Sequence, residues 1–293
     1  MQTYSDLRYQ SSDGLALYAR DYSRQAHTGS KPVMLCLHGL TRNSADFEEL
    51  AEHMARDFRV LVPDQRGRGK SQWDPVADRY QPNTYVADTL GLLNQLNIHK
   101  VIIVGTSMGG LMAMIMAATA RDRIAGIVLN DIGPEVDPRG LQRIQGYVGK
   151  TDPVANWTDA AETVRTLNAV AFPDYTDADW MRMAHQLYFE NTQGVPELAY
   201  DPAISKPIAA DTGSAVPPNL WPLFEGLAGI PTLALRGTLS DILSRACFAE
   251  MQKRMPGMQA MEIPGRGHAP ALNEPEALAA IDRFVEKLVE VPV

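Results

Sequence analysis

Along the first quarter of the chain, hydrophobic and polar positions change period. "DLRYQ" and "LALYARDY" alternate, with "SSDG" between them, which predicts an antiparallel hairpin at a sheet edge. From residue 33 the apolar positions run continuously instead. "VMLCL" (33–37), "RVLVP" (59–63), "VIIVG" (101–105), "IAGIVLN" (124–130), "PTLALRG" (231–237) and "AMEIPG" (260–265) are short and rich in Val, Ile and Leu. Such runs, separated by helix-length segments, predict parallel strands covered on both faces. The intervening pieces carry helical periodicity. "SADFEELAEHMARD" starts at Ser44 with Glu48 close behind, and places Phe47, Leu50, Ala51 and Met54 on one face. "NTYVADTLGLLNQLN" spaces Val86, Leu90, Leu93 and Leu96 in the same way, and "NEPEALAAIDRFVEKLVEV" is amphipathic near the end.

About 100 residues separate the strand ending near Asn130 from the one starting near Pro231, far too many for one crossover connection. They include "GPEVDPRGLQRIQGYVGK", helical stretches around Trp157 to Ala169 and Asp177 to Asn191, and a Pro-rich return near Val216 to Pro222. The expected organisation is a core of residues 1–133 and 223–293, interrupted by a helical cap over 134–222.

Composition narrows the function classes. The 293 residues are 45% hydrophobic, ordinary for a chain that buries a sizeable core, and carry a formal charge of −8. With no basic block to offset it, that charge argues against nucleic acid or an anionic membrane as partner. The stretch Leu111 to Ala120 is about half of what a bilayer span requires. The first twenty residues hold no signal-peptide core, and a cytoplasmic location is expected. Two cysteines, Cys36 and Cys247, offer neither a disulfide framework nor zinc-site spacing. No metal and no cofactor are expected, the expected partner is a small-molecule substrate, and oligomeric state stays open.

The candidate chemistry lies in "GTSMGG" (105–110), between the apolar runs "VIIV" and "LMAMIMAATA". A strand, then Gly-x-Ser-x-Gly, then a helix is the nucleophile-elbow pattern. The serine sits in a strained turn, and adjacent chain leaves no room for a side chain at Gly105 or Gly109. "LCLHGLTRN" follows the first parallel strand. Its His-Gly permits a turn that aims the Leu40 amide at Ser107, to pair with the Met108 amide as a two-donor oxyanion hole. His38 itself is read as orienting this loop. "GRGHAPALNEPE" places His268 after the last strand, where a lone histidine suits a general base. "LRGTLSDILS" places Asp241 after the preceding strand, where a carboxylate can fix the imidazole tautomer. Asp131, in "LNDIGPE", is the rival acid. Asp241 is preferred because its loop directly precedes the histidine strand, and Asp131 is read as organising the entry to the cap.

The order Ser107, Asp241, His268 resembles that of the α/β-hydrolase superfamily, in its cap-bearing serine esterase, lactonase and C–C hydrolase forms, over essentially the whole chain outside the cap. "PDQRGRGKS" (63–71) also resembles the family's segment after its fourth strand, where Asp64, Arg66 and Gly67 are read as structuring the loop. The resemblance implies an α/β-hydrolase fold: a mostly parallel sheet flanked by helices, with an N-terminal antiparallel hairpin and a helical cap. Superfamily dehalogenases and epoxide hydrolases use an aspartate nucleophile, and dienelactone hydrolases a cysteine. Serine at 107 therefore implies attack on a carbonyl.

The leading expectation is hydrolysis of a small to medium, partly hydrophobic ester or lactone through an acyl-enzyme. A C–C hydrolase of a β-diketone or ring-cleavage product is the alternative, although "HGLTRN" lacks the longer Gly-rich segment usual in ring-cleavage hydrolases. A ligand-binding receptor on a hydrolase fold is the third reading. Arg42 and Asn43 are placed to contact a polar or acidic substrate, the plainer view being solvated loop residues. Trp157, Trp180, Tyr188 and Phe189 supply aromatic surface at helical spacing in the cap, and the first three, with Arg42, are the candidate substrate-binding residues.

Overall fold

The computed structural model describes residues 3–23, 31–150, 152–210 and 219–290. Eight strands form one sheet in the order β1-β2-β4-β3-β5-β6-β9-β10. Strands β1 (Ser5–Gln10) and β2 (Ala16–Tyr22) are the antiparallel hairpin, with Gly14 at φ +87° in its turn. Strand β2 pairs antiparallel with β4 (Val60–Asp64), and every later pairing in this sheet is parallel. Strands β3 (Val33–Leu37), β5 (Val101–Thr106), β6 (Ile124–Asn130), β9 (Thr232–Gly237) and β10 (Gln259–Ile263) fall on the apolar runs.

Helices cover both faces. On one side α2 (Pro82–Gln95) and α3 (Met108–Thr119) pack through Leu93, Met112 and Met116 on Leu35, Ile103 and Ile127. On the other, α1 (Glu48–Met54) and α10 (Pro275–Glu290) pack through Leu50, Ile281 and Phe284 on Met34, Ile102 and Val128. Phe284 is 1% exposed, and burying a side chain of that size contributes about 1.5–3 kcal/mol. The α1 region starts at Ser44, where its sequence pattern places it, although its first turn is 3₁₀ and its cap is Asn43. The Asn43 side chain caps a short 3₁₀ turn (Ser44–Phe47) by accepting from the Ala45 amide, and the buried Asp64 carboxylate accepts from the Ser44 amide at 2.6 Å.

Between β6 and β9 the chain leaves the sheet for α4 (Pro138–Tyr147), α5 (Trp157–Asn168), α6 (Asp177–Leu187), a small hairpin of β7 (Tyr188–Glu190) and β8 (Pro196–Leu198), α7 (Ser205–Ala210) and α8 (Trp221–Glu225). The expected helix from 177 to 191 thus ends at Leu187. Tyr188 and Phe189 are strand residues on opposite faces, one buried and one exposed, and not a helical pair. Residues 216–218 of the Pro-rich return lie outside the described residues. Helices α5 and α6 have an apolar cluster of their own, centred on Ala160, Val164, Trp180 and Ala184. After β9 the chain returns through α9 (Arg245–Arg254) to β10.

Candidate active site

Strand β5 lies between β3 and β6, and at its C-terminal end the chain turns sharply into α3 at Ser107. The serine has φ +53° and ψ −115°, a sparsely populated conformation costing about 1–3 kcal/mol. Neighbours on both sides enforce it. The Ser107 amide donates to the Asn130 carbonyl at 3.0 Å, and the Gly110 amide donates to the Ser107 carbonyl at 2.9 Å. A Cβ at Gly109 would collide with the Leu37 carbonyl on β3, and one at Gly105 with the Gly109 carbonyl. Only glycine at both places lets helix and strand approach closely enough to raise the hydroxyl above the sheet edge.

His268, in the loop after β10, reaches that hydroxyl. Its Nε2 is 2.8 Å from Ser107 Oγ, and its Nδ1 is 2.8 Å from Asp131 Oδ2. The carboxylate only accepts, so Nδ1 carries the proton and Nε2 is free to accept from the serine. Asp131 is fully buried at the end of β6, with φ +56°, and also accepts from the Gly237 amide at 2.8 Å and Ser240 Oγ at 2.6 Å. Three donors around one buried carboxylate offset its loss of hydration and fix its direction.

The acid expected from the sequence, Asp241, is elsewhere. Its carboxylate makes a two-pronged ion pair with Arg143 of α4, Nε at 2.5 Å and Nη2 at 2.9 Å, and is 32% exposed. Burial pushes its pKa up, but the hydrogen bonds and charge of Arg143 outweigh that and hold it below the usual carboxylate range. The reason lies in strand order. Strand β6 is the immediate neighbour of β5, so Asp131 emerges beside Ser107, whereas β9 is one strand further out and its loop turns toward the insertion. That loop reaches the acid through Ser240, not Asp241.

On the other side of Ser107, the Leu40 and Met108 amides have no acceptor among the described residues. The loop bearing Leu40 is held from beneath. His38 is fully buried, with Nδ1 2.7 Å from the Gly39 carbonyl and Nε2 accepting from the Gln65 amide at 3.0 Å. Burial lowers its pKa to about 3, so it stays neutral and serves as a bracket for the loop. Arg68, which the sequence did not single out, is fully buried between the two candidate oxyanion residues. Its Nε donates to the Leu40 carbonyl at 2.9 Å, and its Nη2 lies 4.0 Å from Met108 Sδ. Nearby Arg66 binds Asp13, Asp74 and Asp88, and Asp64 takes the Ser44 and Lys70 amides, which is loop structuring.

A cavity of about 150 Å³ opens over Ser107 and His268, roofed by α4, α5, α6 and the small hairpin. Of the expected substrate contacts, Arg42 and Tyr188 line it, but Trp157 and Trp180 do not. Trp180 is 3% exposed and packs on Phe172 and Tyr175 inside the insertion's own core. Trp157 stacks on His185 at 3.8 Å and donates to Glu190. Helical spacing identifies a packed face without saying which neighbour it packs on. Tyr147, Tyr175 and Tyr200 line the cavity and were missed. Tyr147 was within reach, since Ile144 and Tyr147 share one face of amphipathic α4; Tyr175 and Tyr200 lie outside regular elements. Among the described residues no group of three or more His, Cys, Asp or Glu could hold a metal ion, and no helix is long and apolar enough to cross a membrane.

This architecture has counterparts. Residues 32–275 match the family described as alpha/beta hydrolase fold. The 3-hydroxybutyrate-oligomer hydrolase of Cupriavidus necator is 33% identical over 92% of this chain and 93% of its own length. The 2-(acetamidomethylene)succinate hydrolase of Mesorhizobium japonicum is 29% identical over 88% of this chain and 89% of its own. The crystal structure of an alpha/beta hydrolase from Novosphingobium aromaticivorans superposes with a TM-score of 0.91 at 44% identity, covering 98% of this chain and 99% of that one.

Proposed function

This chain belongs to the α/β-hydrolase fold family, and we propose on that footing that it is a serine hydrolase of carboxylic esters, working through an acyl-enzyme. The observation that carries the reading is the unbroken hydrogen-bonded chain from Ser107 through His268 to Asp131. Ser107 Oγ attacks the ester carbonyl as His268 Nε2 takes its proton. Asp131 stabilises the imidazolium through Nδ1–H, and the amides of Leu40 and Met108 receive the oxyanion. The imidazolium then protonates the leaving alkoxide, which departs as the alcohol. Water gives a proton to the same nitrogen as it attacks the acyl group; the acyl–Oγ bond then breaks, the imidazolium returns the proton to Ser107 Oγ, and the acid leaves. Residues 134–222 act as a cap that shields this chemistry and shapes the cavity, and the enzyme works on a small molecule in the cytoplasm.

The Cupriavidus necator relative is named for 3-hydroxybutyrate oligomers, so short oligoesters of a hydroxy acid are the first natural substrates to try. The reading is tested by fluorophosphonate labelling together with turnover of short-chain aryl esters, lactones and β-diketones. Covalent labelling at Ser107 with ester turnover is the expected result. Folded protein that neither labels nor turns over would sink it in favour of a ligand-binding role, and C–C cleavage of a diketone without ester hydrolysis would replace it with that chemistry.

A further inference from the structure

Arg42 is the cavity feature that the ester mechanism leaves unused. It follows the His-Gly turn, and its side chain is 21% exposed, toward the cavity it lines. One nitrogen is engaged: Nε donates to Asp46 Oδ2 at 2.6 Å. Its terminal nitrogens have no acceptor among the described residues, and the second oxygen of Asp46, Oδ1, is likewise buried without a partner. The pair is therefore not the two-pronged match that guanidinium and carboxylate geometry favours. Asp46 holds the guanidinium by one edge and leaves the other donors uncommitted. The other charged residues on the cavity wall behave differently. Arg182 binds Asp179 at 2.7 Å and lies 3.8 Å from Glu49, which also takes a hydrogen bond from Asn273, so these groups satisfy one another.

Position adds to this. A Cβ placed on Gly39 would stand 3.4 Å from Arg42 Cγ and 3.8 Å from Ser107 Cβ, so the two side chains start no farther apart than those distances together. Tyr147 and Tyr175 face the same charge. Burial raises both phenols, Tyr175 to about 12, and Arg42 works against the rise in each. A partly desolvated guanidinium with free terminal donors, flanked by tyrosines and on a side chain that starts beside the nucleophile, suits a planar anion.

Resting on the serine-hydrolase reading, we infer that Arg42 receives a free carboxylate of the substrate, so that the preferred esters are half-esters or hydroxy-acid esters whose carboxylate lies within a few bonds of the scissile carbonyl. Asp46 is then a positioning residue that sets the guanidinium plane. The terminal N–H groups bind the carboxylate, and the scissile carbonyl falls over Ser107.

Binding can be measured without turnover by calorimetry in a Ser107→Ala background, comparing monomethyl glutarate with uncharged methyl pentanoate. The charged ligand should bind at least tenfold more tightly. Arg42→Gln should weaken monomethyl glutarate by about tenfold to a hundredfold, the range expected on losing hydrogen bonds to a charged group, while changing methyl pentanoate far less. Arg42→Lys should restore part of the difference, since it returns the charge without the fork. Equal binding of the two ligands, no detectable binding of monomethyl glutarate, or an Arg42→Gln loss that is the same for both would overturn the inference. None of these outcomes depends on ester cleavage, so a failed carboxylate site and a failed esterase reading are told apart.

Discussion

Replacing Asp131 by Asn should nearly abolish turnover while leaving the fold in place. The Asp131 carboxylate accepts from the Gly237 amide, Ser240 Oγ and His268 Nδ1. In the Asn variant the amide oxygen can still take the Gly237 N–H, while Ser240 Oγ, which already accepts from the Ile242 and Leu243 amides, loses only the acceptor for its own hydroxyl. The imidazole cannot keep its arrangement, because an NH₂ facing Nδ1 forces the proton onto Nε2. That nitrogen then points a hydrogen at Ser107 Oγ and no longer accepts one. The same inversion of tautomer in a serine protease lowers kcat about 10⁴-fold, equivalent to roughly 5.4 kcal/mol of barrier. Asp241→Asn is the matched control. It weakens a partly exposed ion pair with Arg143, which contributes about 0–1 kcal/mol to stability, and kcat should stay within about threefold. Single-turnover acylation with a 4-nitrophenyl ester, alongside melting curves, measures both. If folded Asp131→Asn kept a tenth of wild-type kcat, or if Asp241→Asn were the worse lesion, the role of Asp131 in fixing the His268 tautomer would be refuted.

Two further outcomes follow from the same geometry. Ser107→Ala should abolish ester turnover with little change in melting temperature, because both glycines of the turn remain; Gly109→Val should lose stability as well as rate, since its side chain meets the Leu37 carbonyl, and equal melting temperatures for the two variants would contradict the packing account. His38 should make the fold acid-sensitive: with a folded pKa of about 3 against an ordinary value near 6.5, its contribution is complete above pH ~6.5 and lost at up to about 1.4 kcal/mol per pH unit as pH falls toward 3. Urea unfolding of wild type and His38→Gln between pH 7 and 4 reads this directly, and an unchanged slope in the variant would remove His38 from the acid response.

Much of the sheet was legible because buried parallel strands leave continuous apolar runs, and six of those runs coincide with strands to within a residue or two. Ser107 and His268 were legible for a related reason: each is a polar residue in glycine-bearing chain at the end of such a run. The carboxylate that meets His268 was not. Asp131 and Asp241 both follow strands, and the choice between them depends on which strand lies next to β5, a fact of pairing order that local pattern does not contain. The preference for Asp241 used chain order where spatial order decides. Trp157 and Trp180 failed for a different reason, since the insertion has a core of its own to fill. Arg68 left no signal at all: a buried arginine without a carboxylate partner among the described residues reads, in a string of letters, as one more surface charge.

The insertion is stitched to the sheet's loops by main chain as well as by side chains. The Gly69 amide donates to Ala199 and the Asp201 amide to Gly67 at one margin, the Gly267 amide donates to Ala171 at another, and the Asp137 amide donates to Ile242 near the loop that carries Ser240. Each such bond contributes about 0.5–1.5 kcal/mol net, and lifting the roof as a unit would break all of them together. On the Glu49, Arg182 and Asn273 side the cavity is closed by side chains instead, and exposed side chains change rotamer on the nanosecond scale, against microseconds to milliseconds for a hinged lid. Shortening Glu49, Arg182 or Asn273 is therefore the change expected to alter which molecules reach the cavity, with the roof left where it is.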